Sequence, residues 1–140
     1  MSKYFKLSEL TYSATARKYG IDNTPTEEHK KNLEELMLFL DEIRYGWGNA
    51  VIVTSGYRCI ELNEKVGGSK TSVHPLGWAA DIKPANNKMK EFIEFIIDWS
   101  KDKKFDQIII ERGSKGSVWV HVGLYNSKGK QRRQVKSLEA

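Results

Sequence analysis

Leu33, Leu36, Met37, Leu40 and Ile43 recur at three- and four-residue intervals, the spacing of one helical face. They predict a helix over 25–45. Thr24-Pro25-Thr26-Glu27 reads as its capping start, with proline at the first helical position, and Gly46 and Gly48 end it. Met89, Phe92, Ile93, Ile96 and Ile97 predict a second amphipathic helix over 88–100. Short apolar runs predict four strands: Val51–Thr54, Trp78–Ile82 stopped by Pro84, Phe105–Glu111 and Val118–Leu124. Before the long helix, Phe5, Leu7, Leu10 and Tyr12 fit one or two helical turns. Ser8 and Ser13 are candidate caps there and Gly20 a stop. A short helix fits 59–66, ended by Gly67-Gly68, and residues 69–77 read as an irregular loop. Helices come first, then strands with one helix inserted. That order predicts one α+β domain over 1–140 with a small, largely antiparallel sheet, not a doubly wound parallel one.

Strands 105–111 and 118–124 are close enough to form a hairpin, and its register decides which side chains share a face. A six-residue loop would pair Glu111 with Val118. A five-residue loop, Gly113–Ser117, pairs Glu111 with Trp119 and Ile109 with His121. Odd loops containing glycine are common hairpin connections, so the second register is expected. Alternation then places Phe105, Gln107, Ile109 and Glu111 on one face with Trp119 and His121, and Asp106 on the other.

The chain has three histidines. His74 lies in the loop, Asp81 follows in a strand of small residues, and His121 sits between valines. Two imidazoles and one carboxylate can hold zinc with a fourth position open. On the residues alone the alternative stays open, that each imidazole only satisfies a hydrogen bond. His29 sits in a charged first helical turn, where exposure is expected. Cys59 is expected to pack as a thiol, not to bind metal.

Ser55-Gly-Tyr-Arg58, Asn63, Val66-Gly-Gly-Ser69, Ser72-x-His74-x-x-Gly77-x-Ala79-x-Asp81 and Trp119-x-His121 resemble the zinc D-Ala-D-Ala carboxypeptidase family of murein peptidases. The resemblance looks especially close to short phage and prophage members. It extends to FKLSEL and GIDNTP near the start, FDQIIIE in the middle and QRRQV near the end. It implies a fold shared with lysostaphin-type peptidases and the hedgehog signalling domain, and zinc bound by His74, Asp81 and His121. It also implies cleavage of a peptide bond in the peptidoglycan stem, with Arg58 binding substrate. Many members carry an acid three residues before the last histidine ligand; here that residue is Val118. In the short members an acid ends the preceding strand, and Glu111 matches it as general base. Ser72, Tyr57 and Trp119 are further candidates for the substrate groove, although Tyr57, Trp78 and Trp119 also suit a core. Val118 leaves a second class open, a zinc-containing wall-binding or signalling module that does not cleave.

Composition narrows the remaining classes. Of 140 residues, 39% are hydrophobic and 11% aromatic, enough for a packed core. One cysteine excludes an internal disulfide framework. No apolar run is long enough for a membrane helix, and the first residues lack a signal-peptide core. Synthesis in the cytoplasm and action on the wall after release are therefore expected, as a monomer. The formal net charge is +5. Lys128, Lys130, Arg132, Arg133 and Lys136 against Glu139 put +4 of it in residues 122–140. The ordinary reading of that stretch is a solvated terminal segment; an anionic cell wall is its alternative partner. Only Tyr125 accompanies the charge, so specific nucleic-acid binding is not expected.

Overall fold

The computed structural model describes residues 2–139. Helices α1 (Leu7–Thr11), α2 (Ala14–Tyr19) and α3 (Glu27–Trp47) come first. Strand β1 (Val51–Ser55), helix α4 (Ile60–Lys65), strand β2 (Ala79–Pro84) and helix α5 (Met89–Trp99) follow. Strands β3 (Gln107–Arg112), β4 (Val118–Gly123) and β5 (Gln134–Glu139) complete the order. The five strands form one sheet, β1-β2-β4-β3-β5. Every neighbouring pair is antiparallel except β3 with β5. The molecule is thus α+β with a largely antiparallel sheet.

Alternation splits the sheet into two faces. Ala80 and Ile82 of β2, Ile108 and Ile110 of β3, and Val120 and Val122 of β4 all point into the core. They share it with Leu33, Leu36 and Leu40 of α3 and Phe92 and Ile96 of α5. Burial of each larger side chain in this set contributes roughly 1.5–3 kcal/mol, which makes this the main stabilising face. The opposite face carries Asp81, Ile109, Glu111, Trp119 and His121. The hairpin adopts the five-residue loop, with Glu111 opposite Trp119 and Ile109 opposite His121. Gly113 N–H donates to Ser117 O at 2.8 Å, and Gly116 takes a φ of +79° that favours glycine.

Several boundaries differ from the sequence pattern, each for a local reason. Thr26, not Thr24, caps α3: its hydroxyl accepts the His29 N–H at 3.1 Å, while Thr24 N–H is taken by Asp22 at 3.0 Å. Pro25 therefore lies outside the helix. Helix α1 starts after Lys6, whose N–H is accepted by the Glu9 carboxylate at 3.1 Å, so Ser8 is interior. Strand β2 continues through Pro84, which pairs with Val51. Strand β3 begins only at Gln107. The residues before it break the alternation, so that Phe105 is in the core and Asp106 borders the opposite face.

The largest departure is the C-terminal segment. Most of its side chains are exposed, as expected of a solvated segment, but it is ordered as a turn and a strand and is not a free tail. Arg132 clamps the buried Asp106 through Nε at 2.8 Å and Nη2 at 2.9 Å, and its backbone N–H adds a third bond at 3.1 Å. Arg133 Nε donates to Lys103 O at 2.9 Å. β5 then pairs with β3 from Gln107 opposite Gln134 to Arg112 opposite Glu139. Two of the basic residues thus hold the segment onto the fold from its surface. No helix among the described residues is long and apolar enough to cross a membrane.

Candidate active site

Asp81 on β2 and His121 on β4 lie directly opposite each other in the ladder. The antiparallel register alone therefore delivers one carboxylate and one imidazole to the same spot. His74 arrives from a single 3-10 turn, His74–Leu76, that closes the irregular loop. Its backbone N–H is accepted by Ser72 Oγ at 3.2 Å, so Ser72 shapes this loop while also bordering the groove. The loop is held from below by buried Asn63, which donates to Ser69 O at 3.0 Å.

The tautomer of His74 is fixed by its partner. Nδ1 lies 2.7 Å from the carbonyl of Gly56. A carbonyl only accepts, so Nδ1 carries the proton and Nε2 presents its lone pair to the groove. Gly56 can hold this position only without a side chain, because a Cβ there would come within 2.3 Å of Leu10 O. Nε2 of His74 stands 3.6 Å from Asp81 Oδ1, and Nδ1 of His121 stands 3.0 Å from it. One donor atom from each of the three residues lies within 4.8 Å of the others. Burial disfavours charge on His74 and pushes its pKa down, against the pull of Asp81. Burial would also raise the Asp81 carboxyl, but the hydrogen bond from His121 Nδ1 outweighs it and holds Asp81 ionised. A neutral imidazole with its lone pair inward and an ionised carboxylate are the protonation states a metal requires. The N, O, N donor set fits zinc.

Glu111 Oε1 lies 3.8 Å from His121 Nδ1. Burial, and then the Asp81 charge, push its pKa up; His121 and Arg58 oppose this. Arg58 is half-buried at the same groove. Its Nε is sealed from solvent with no hydrogen-bond partner, and it makes no ion pair among the described residues. Burial lowers its pKa, countered by Asp81 and Glu111. The groove of about 970 Å³ is bordered by His74, Asp81, His121, Glu111, Arg58 and Trp119.

The family described as Peptidase M15 matches residues 3–123. The chain belongs to the peptidase M15 family. No curated protein matches it. As an M15 peptidase it is a metallopeptidase of a zinc-dependent family, and the His74, Asp81 and His121 trio is the group among its described residues able to hold that ion.

Not every expected residue faces this M15 groove. Tyr57 is 4% exposed and packs in the core, its hydroxyl 3.1 Å from His29 Nδ1; it does not border the groove. His29 is accordingly half-buried, not exposed. Trp78 turns onto Tyr125, with ring centroids 4.7 Å apart. Cys59 caps α4, its sulfur accepting the Leu62 N–H at 3.5 Å. Conversely, Gln107, Asn126, Lys128 and Leu138 border the groove and were not expected there. Gln107 shares the Ile109 and Glu111 alternation, which was the available signal. The others depend on β5 and the turn before it, which no local pattern announces.

Proposed function

We propose that this M15 peptidase hydrolyses a peptide bond in the peptidoglycan stem peptide. The carrying observation is the convergence in one groove of three metal-competent donors, a carboxylate beside them, and a half-buried arginine that makes no ion pair among the described residues. His74, Asp81 and His121 would hold zinc, which when bound supplies Lewis acidity toward the scissile carbonyl and the attacking water. Glu111 removes one proton from that water and passes it to the leaving amine nitrogen as the C–N bond breaks. Its raised pKa suits both halves of the transfer. The Arg58 fork holds a substrate carboxylate or the oxyanion that develops at the carbonyl. Trp119 and Ser72 border the groove.

Glu111 on the His121 face favours this reading over a non-cleaving module, since it fills the role Val118 leaves open. Digestion of purified peptidoglycan, with mass spectrometry of the new termini, tests it. The expected result is one class of new amino terminus, lost with a chelator and restored by zinc. Intact peptidoglycan after incubation with the zinc-loaded protein would overturn it and favour a binding module.

A further inference from the structure

Three cationic side chains border the groove: Arg58, Arg132 and Lys128. Arg58 stands beside Asp81 and Glu111, whose charges it feels. Arg132 is spent on Asp106. Lys128 makes no ion pair among the described residues.

Its backbone is nonetheless built to hold it there. Asn126 Oδ1 accepts the N–H of Lys128 at 2.9 Å and of Lys130 at 2.8 Å. Asn126 N–H donates to Lys130 O at 2.9 Å, and Gly129 closes the turn at a φ of +74°. Gln131 Nε2 ties the turn to Leu124 O at 3.2 Å, and Tyr125 packs it against Trp78. A turn fixed at this many points removes the backbone part of the ordering cost when a ligand arrives, and the exposed Lys128 side chain bears only its own. Lys130, two residues on in the same turn, does not border the groove. The turn lies outside the matched residues 3–123.

We infer that Lys128 is a specificity residue that recognises a free carboxylate on the substrate away from the scissile bond. The ligand class is an acidic peptide, and the inference rests on the stem-peptide reading above. Stem peptides bear carboxylates that occur either free or amidated, and only the free form complements an unpaired lysine.

The test uses two synthetic stem peptides that differ only in carboxylate against carboxamide at one non-scissile position. Steady-state kinetics are measured with the zinc-loaded full chain, Lys128→Ala, Lys128→Arg and Lys130→Ala. The wild type should prefer the free acid by about 3- to 5-fold in kcat/KM, the range of an exposed ion pair. Lys128→Ala should erase that preference by raising KM on the acid alone, with kcat unchanged. Lys128→Arg and Lys130→Ala should retain it. An equal KM rise on both peptides for Lys128→Ala, or the same loss in Lys130→Ala, would overturn the assignment in favour of general charge attraction. Cleavage of both peptides without preference by the wild type would also overturn it while leaving the stem-peptide reading intact. Cleavage of neither would bring down that reading and this one together.

Discussion

Glu111 and Arg58 divide the chemistry at the level of single side chains. Glu111→Gln keeps the size of the side chain and removes the proton acceptor. It is expected to lower kcat about 100-fold or more, within the range of general-base loss, with zinc content per chain unchanged by metal analysis. A variant as active as the wild type would mean the base lies elsewhere. Arg58→Lys keeps the charge but loses the planar fork. Its kcat/KM should fall about 10-fold, equivalent to about 1.4 kcal/mol of transition-state binding. Unaltered kinetics would reduce Arg58 to a half-buried cation without a substrate role. The trio itself was legible in the sequence, because histidine is scarce in this chain and Ser72-x-His74-x-x-Gly77-x-Ala79-x-Asp81 is a compact pattern. A core place for Tyr57 was among the readings, but its pairing with His29 was not legible, since the two lie 28 positions apart and no periodicity links them.

Between elements, the Asp106 clamp decides whether β5 stays on β3. Asp106 is 2% exposed and accepts three bonds from Arg132, while the Arg132 side chain is 44% exposed. Asp106→Asn should therefore cost only about 1–2 kcal/mol at neutral pH, since water screens the arginine. Burial would raise the Asp106 pKa, but the Arg132 hydrogen bonds outweigh it and depress it. A depressed carboxylate stabilises the fold above its unfolded pKa, and that contribution disappears as pH falls through the folded value. The gap between wild type and Asp106→Asn in denaturant titrations should be constant above about pH 4 and narrow below it. A gap that does not change with pH would assign the effect to packing. The long helices, β1, β2 and the hairpin could be read from periodicity because each buries a local apolar face. β5 could not, since Gln134–Glu139 offers only Val135 and Leu138 as apolar residues and both are exposed. Its stability comes from a parallel, non-local pairing that no short window of sequence contains.

Across the whole molecule, the trio joins parts distant in the chain: a loop before β2, β2 itself and β4. Metal binding should then stabilise the fold as a unit, by about 2.7 kcal/mol at a free concentration 100 times the Kd. Thermal melting with and without chelator should show a higher Tm for the zinc-loaded protein, and His121→Ala should lose the difference. A metal-dependent shift that survives His121→Ala would remove that residue from the ligand set. The α+β architecture and the sheet face carrying the site followed from the order of elements and from strand alternation. The size of the groove did not, because its far wall is built by a segment whose charge suggested solvent.

The contact between Gly56 and Leu10 links α1 to the orientation of His74. The Gly56 carbonyl that orients His74 lies where α1 presses its own backbone against the end of β1, with Tyr57 N–H donating to Leu10 O at 2.6 Å. Lifting of α1 would free the Gly56 carbonyl to rotate and let the imidazole turn. The orientation of His74 thus depends on the seating of an N-terminal helix of five residues that contributes no donor to the trio.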